Sequence, residues 1–232
     1  KEKPRLQLVS QVSKPQDNRS KMKKAVCLIS GGMDSFVASA VANNRGHKIY
    51  ALTVSYGQKN SKEISAAKKI GIYLGVKQHT VVDIDLSWAN SSLTRKDIDI
   101  PTQTSGTEIP STYVPARNTI FISIAMALAE TVDAESIYIG VNAVDFSGYP
   151  DCRPEYIKRF QALIDVATKK TLGGARITLE TPLINMSKSE IIKQGIKLGV
   201  DFSISWSCYR NREKPCGTCP SCILRNKGFR QA

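Results

Sequence analysis

Ala25-Val26-Cys27-Leu28-Ile29-Ser30-Gly31-Gly32-Met33-Asp34-Ser35-Phe36-Val37-Ala38-Ser39 is the stretch that decides how this chain folds. Its first five residues are wholly apolar, as expected of a short strand covered on both faces. A serine and two glycines then turn the chain sharply. Apolar residues resume at once and run to about Asn44, long enough for a helix. Strand, glycine turn and helix open a βαβ unit.

The same alternation continues outward. Lys48–Ser55 reads as a second strand, and Asn60–Leu74 as a helix with Ile64, Ala67, Ile70 and Leu74 on one face. Further strands are predicted at Thr80–Ile84, Ser136–Val141 and Ile177–Leu183. Further helices are predicted at Asn118–Thr131, Glu155–Leu172 and Lys188–Leu198. Strands alternating with helices predict an α/β fold with a doubly wound parallel sheet. Between Ser91 and Pro115 the periodicity fails, and Thr, Ser, Gly and three prolines dominate. A loop of that length is usually functional.

The chain has a net charge of +13, which at first suggests nucleic acid. The charge is not spread along the domain. Residues 1–24 hold eight Lys/Arg against two Asp/Glu, and residues 208–232 hold six against one. Residues 25–207 are nearly balanced, at 19 against 17. This distribution argues against a nucleic-acid-binding body. Residues 1–22 are expected to be a flexible basic extension, 23–204 the α/β domain and 205–232 a C-terminal segment. No apolar run approaches the ~18–20 residues of a membrane span. The polar N-terminus offers no export signal, so a cytoplasmic protein is expected.

Residues 30–35, directly after the first strand, have the chemistry of an anion cradle. Glycines let the backbone approach an anion, successive N–H groups form a nest, and the helix N-terminus adds partial positive charge. Ser30 and Ser35 add hydroxyls. Asp34 has the wrong charge for a direct phosphate contact, and is expected to cap the helix or to hold Mg²⁺ accompanying a nucleotide. The loop is not of the Walker A type, which ends in Gly-Lys-Ser/Thr.

Four of the six cysteines crowd into the last 25 residues. Cys208 is followed after seven residues by Cys216, and Cys216, Cys219 and Cys222 are spaced by two. Two-residue gaps let thiolates converge on one ion while backbone N–H groups face the sulfurs. Four thiolates would complete a tetrahedral Zn²⁺ shell with no open position, which makes the site structural. An iron–sulfur cluster of ferredoxin spacing would want a cysteine at position 226, which is Asn226.

Ser30-Gly-Gly-Met-Asp-Ser35 resembles the signature of PP-loop ATP pyrophosphatases, which bind ATP and cleave between its α and β phosphates. Four more segments narrow the resemblance: Val54-Ser-Tyr56-Gly-Gln58, Val114-Pro-Ala-Arg117-Asn118-Thr119, Asp145-Phe-Ser-Gly-Tyr149-Pro-Asp151-Cys-Arg-Pro154, and Ser205-Trp-Ser-Cys-Tyr209. With the cysteine spacing they resemble the 7-cyano-7-deazaguanine synthase family of the queuosine and archaeosine pathways, from about Lys23 to the end. The resemblance implies ATP-dependent conversion of 7-carboxy-7-deazaguanine and ammonia to the 7-cyano base. It places ATP on Ile29–Ser39 and zinc on Cys208, Cys216, Cys219 and Cys222. Asp34 and Arg117 are then the candidate catalytic residues. Tyr56, Gln58, Arg117, Asn118, Asp145, Tyr149 and Asp151 are the candidate substrate contacts, and 91–115 a candidate lid. Cys152 is expected to line the substrate or serve packing, since the chemistry needs no thiol.

Two other readings compete. A PP-loop enzyme that thiolates tRNA would share the ATP chemistry and use the basic ends. A non-catalytic zinc-ribbon module that binds nucleic acid would leave the glycine loop unexplained. The sequence leaves oligomeric state open, a homodimer included.

Overall fold

The computed structural model describes residues 22–102, 109–144 and 148–232. The predicted extension up to residue 21, the middle of the predicted lid and Asp145 lie outside the described residues. Five parallel strands form one sheet in the order β3-β2-β1-β4-β5: β1 (Lys24–Leu28), β2 (Lys48–Ser55), β3 (Gln78–Asp83), β4 (Ser136–Tyr138) and β5 (Thr178–Glu180). The helices are α1 (Met33–Asn44), α2 (Lys62–Tyr73), α3 (Arg117–Thr131), α4 (Pro154–Ala167), α5 (Lys169–Leu172), α6 (Lys188–Lys197) and α7 (Pro220–Gln231).

β1 explains the layering. Val26 and Leu28 pack with Ile122 and Ala125 of α3 and with Phe160 and Ile164 of α4. Ala25 and Cys27 point the other way, toward Phe36 and Val37 of α1, Ile70 of α2 and Ile191 of α6. Both faces of the central strand are therefore covered, which is why its sequence is an unbroken apolar run. The chain builds outward from β1 through β2 to β3, then crosses back to add β4 and β5 on the other side. Loops leaving β1 and β4 diverge at that reversal and open a crevice at their carboxyl ends.

Several element ends differ from expectation. The ladder of β4 stops at Tyr138, and two residues further on Gly140 passes tightly against the start of α1. The helix expected over Glu155–Leu172 breaks at Thr168, whose hydroxyl accepts from the Thr171 N–H in a capping box that starts α5. In the C-terminal segment, α7 begins with Pro220 at its first position, where the missing N–H costs nothing. Among the described residues no helix is long and apolar enough to cross a membrane.

Candidate active site

The crevice is lined from below by the turn after β1. Gly31 has φ +90°, and a Cβ there would stand 2.1 Å from the carbonyl oxygen of Glu63. No side chain fits, so glycine is required twice over, by conformation and by contact. Gly32 does not use the left-handed freedom of glycine: it is extended (φ −77°, ψ 162°) and forms the N-cap of α1. A Cβ at Gly32 would meet nothing closer than Ser30 Oγ at 3.5 Å. Its glycine is therefore not demanded by the fold; what the missing side chain leaves is room in the cleft that Gly32 lines.

The two serines brace this turn. Ser30 N–H donates to Ser35 Oγ at 3.1 Å, the hydroxyls of Ser30 and Ser35 lie 3.1 Å apart, and Ser35 Oγ donates to the Gly32 carbonyl at 3.0 Å. The first N–H groups of α1 have no carbonyl ahead of them in the helix and give the cleft its donors. Across from them Gly140 comes so near that a Cβ would lie 2.6 Å from Ser35 N.

Asp34 does not cap α1; no side chain does. Its two carboxylate oxygens accept from Lys188 Nζ at 2.9 and 2.8 Å. Lys188 is buried at the first turn of α6, after the Ser187–Glu190 capping box has fixed where that helix starts. Arg225, on α7, also lines the cleft and donates to Ser205 Oγ at 2.8 Å, Ser207 Oγ at 3.2 Å and the Phe202 carbonyl at 2.8 Å. The glycine turn thus faces a wall with two cationic side chains, one of them paired with Asp34.

A second group of residues gathers at the start of α3. Ala116 has φ +54°, an uncommon conformation for a non-glycine residue, and the turn it makes precedes Arg117. Arg117 Nη1 donates to the Tyr56 hydroxyl at 3.3 Å, and its guanidinium carbon lies 5.7 Å from the centre of that ring. Burial opposes the charge of Arg117, but the oxygens of Tyr56 and Tyr149 favour it and the net shift is upward. Burial likewise raises the hydroxyls of Tyr56, Tyr149 and Tyr209, which are neutral phenols at ordinary pH. Glu63, in the first turn of α2, lines the same space, and burial pushes its carboxyl up to about 7 against the pull of Arg117.

The other expected substrate residues divide. Tyr56, Gln58, Arg117, Asn118 and Tyr149 line the cleft. The Gln58 side-chain oxygen is already engaged by the Tyr56 N–H at 2.8 Å, and the Tyr149 hydroxyl lies 2.7 Å from Thr112 Oγ1. Asp151 is not among the lining residues; its carboxylate accepts from the Asn118 N–H at 3.0 Å and caps α3 from outside. The Asn118 amide donates in turn to the Asp151 carbonyl at 3.1 Å and to Cys152 Sγ at 3.4 Å. Cys152 lines the cleft as a thiol, since burial and then the neighbouring Asp151 push it up to about 12. The described ends of the expected lid are packed wall: Ser92, Leu93, Thr112 and Val114 are buried, and Ser92 N–H donates to the Ser111 carbonyl at 2.8 Å.

The sulfurs of Cys208, Cys216, Cys219 and Cys222 all lie within 4.8 Å of one another. Thiolates bound tetrahedrally at ~2.3 Å would stand about 3.8 Å apart, so the cluster can close on one ion with little movement. Cys208 Sγ accepts from the N–H groups of Arg210 and Cys216, both at 3.4 Å, and Cys216 Sγ accepts from that of Cys219 at 3.3 Å. The cluster packs on Ile100 and grips the α/β body, with Asn60 Nδ2 donating to the Cys208 carbonyl at 2.6 Å.

Sequence reasoning missed Glu63, Gly140, Lys188 and Arg225. The Ser-x-x-Glu pattern at Ser187–Glu190 was a legible signal for a helix start, and it sets Lys188 at the first helical position. The other three carry no local signature, since their place depends on long-range packing.

Residues 24–232 match the model of a family described as queuosine biosynthesis protein QueC. A 7-cyano-7-deazaguanine synthase of Coxiella burnetii (strain RSA 331 / Henzerling II) is 53% identical over 214 residues, spanning 91% of this chain and 95% of that one. One of the same name from Nitrosospira multiformis is 50% identical, with 91% and 92% covered. That of Acetivibrio thermocellus is 49% identical over 211 residues, covering 91% and 95%.

Proposed function

The chain belongs to the QueC family of queuosine biosynthesis proteins, and from that premise we propose that it converts 7-carboxy-7-deazaguanine and ammonia to 7-cyano-7-deazaguanine at the expense of ATP. The observation that carries the reading is the turn at Gly31-Gly32, which aims the N-terminus of α1 into a cleft whose other wall is built of Arg117 and buried phenols.

A carboxylate is a poor electrophile because its oxygen leaves badly. The cleft overcomes this by holding the triphosphate on the α1 N–H groups, with Lys188 and Arg225 opposite, so that a carboxylate oxygen attacks the α phosphorus and pyrophosphate leaves. The resulting acyl adenylate takes ammonia and releases AMP, giving the amide. Activation of the amide oxygen by a second ATP, then loss of AMP, gives the nitrile. Arg117 orients the substrate carboxylate by charge-assisted hydrogen bonds, and the buried tyrosines keep out water that would hydrolyse the adenylate. Mg²⁺ accompanying the nucleotide would be held chiefly by its phosphates and would neutralise part of their charge. The four thiolates are read as a Zn²⁺ site, on their number and spacing.

Incubation with ATP, Mg²⁺, ammonium and the 7-carboxy base, followed by mass analysis, tests the reading. The nitrile and AMP are expected together. Neither nitrile nor AMP above a control without the base would refute it.

A further inference from the structure

Ammonia is the second substrate of the reaction proposed above, and at neutral pH it arrives as ammonium. That cation must lose a proton before its nitrogen can attack. A carboxylate in the cleft, near the anion cradle and not already committed, is the group suited to receive it.

The described lining residues include two carboxylates, Asp34 and Glu63. Asp34 is held by both oxygens on Lys188. Glu63 has no hydrogen bond or ion pair to its carboxylate among the described residues. Its backbone sits against the glycine turn, since a Cβ on Gly31 would stand 2.1 Å from the Glu63 main-chain carbonyl oxygen. Its side chain lines the same cleft as the cradle.

We infer that Glu63 receives ammonium beside the activated substrate and takes a proton from it. The inference rests on the proposed reaction. The surroundings suit the exchange. Tyr56, just past the end of β2, contributes a neutral phenol and Tyr209 lines the same cleft, while Arg117 of α3 contributes a fixed positive charge. On its own helix, Lys62 is turned aside, with Nζ 4.9 Å from the centre of the Trp206 ring. Lys59 also lines the cleft. Positive charge from Arg117 disfavours ammonium relative to ammonia but also pulls on the carboxyl's proton, and burial outweighs that pull, so the carboxyl holds a proton more firmly than an exposed one. Burial is therefore what favours moving the proton from nitrogen to oxygen.

The step balances as follows. Ammonium gives one proton to the Glu63 carboxylate. The freed lone pair forms the C–N bond at the acyl carbon, and the C–O bond breaks with its electron pair leaving on AMP. The surplus proton still on nitrogen passes to solvent, and the neutral amide remains.

The test compares the wild type with Glu63→Gln, using ATP and the 7-carboxy base with either ammonium or hydroxylamine. Hydroxylamine is already unprotonated at neutral pH and traps the adenylate as a hydroxamate. In the variant, pyrophosphate release and hydroxamate formation should stay within about threefold of wild type, while amide and nitrile formation from ammonium fall about a hundredfold or more. The KM for ammonium should rise while that for the 7-carboxy base does not. Unchanged nitrile formation would overturn the inference. So would parallel loss of pyrophosphate release and hydroxamate, which would assign Glu63 to the nucleotide or the base. A wild type that releases no pyrophosphate with the base would instead overturn the proposed reaction beneath it.

Discussion

The backbone N–H of Trp206 donates to the carbonyl of Gly31 at 2.8 Å. One residue opens the four-cysteine segment and the other is the pivot of the anion cradle, so the far end of the chain holds the turn after β1. The same segment is tied down by Asn60 on the Cys208 carbonyl and by Lys62 Nζ on the Arg212 carbonyl at 2.6 Å.

Metal removal should therefore reach the nucleotide site. Treatment with a chelator, or Cys219→Ala, is expected to lower the melting temperature by at least about 5 °C, equivalent to roughly 2 kcal/mol for a chain of this size. ATP affinity should fall about tenfold, because Trp206, Ser207 and Arg225 all belong to or rest on this segment. Calorimetric titration with a non-hydrolysable ATP analogue reads the second effect. A metal-free variant with wild-type affinity and melting would break the link between the two sites.

The two glycines should respond differently to the same substitution. Gly31→Ala puts a Cβ onto the Glu63 carbonyl at 2.1 Å with φ +90°, so loss of folding stability is expected, by about 2 kcal/mol or more. Gly32→Ala has no close contact and an ordinary φ, so the protein should melt within a few degrees of wild type. Its methyl group enters the space left for phosphate, and kcat/KM for ATP should drop about tenfold or more. Equal stability losses in both variants would contradict this division.

This contrast also marks how far the sequence could be read. Two adjacent glycines looked alike in the sequence, and nothing there told their roles apart. Which of them faces Glu63 and which faces open space depends on where α2 docks, and no pattern near residue 31 encodes that. The sheet order was legible at the level of βαβ alternation, because β1 is apolar on both faces. The four cysteines were legible because metal spacing is a local property. Lys188 and Arg225 were not, since α6 and α7 bring them to the cleft from residues remote in the chain.

The Lys188–Asp34 pair is largely out of solvent, with side-chain exposures of 8% and 22%. Lys188→Met would leave the Asp34 carboxylate facing the cleft without its partner, at a cost of about 2–4 kcal/mol. ATP turnover should fall a hundredfold or more. Gly228→Ala acts on the same lysine from α7, since a Cβ there would stand 2.4 Å from Lys188 Cγ. It should raise KM for ATP and lower stability by about 1–3 kcal/mol. If a double-mutant cycle of Lys188→Met with Asp34→Asn shows purely additive losses in stability, the pair is not coupled as its geometry requires.

Glu63 should leave a signature in the pH dependence of folding, independent of catalysis. Its carboxyl is raised from 4.5 to about 7, chiefly by burial, so between those values the folded chain binds the proton more tightly than the unfolded chain. Stability from this group is fully present below about pH 4.5 and is lost as pH rises through about 7. Partial exposure tempers the effect to about 1–2 kcal/mol. Glu63→Gln cannot ionise, so it should match the wild type at low pH and become the more stable of the two above about pH 7. Thermal melts of both proteins across that range read the crossover directly. Parallel melting curves would mean that the Glu63 carboxylate is as well solvated in the fold as in the unfolded chain, and the cleft would then lack the dry environment that proton transfer from ammonium needs.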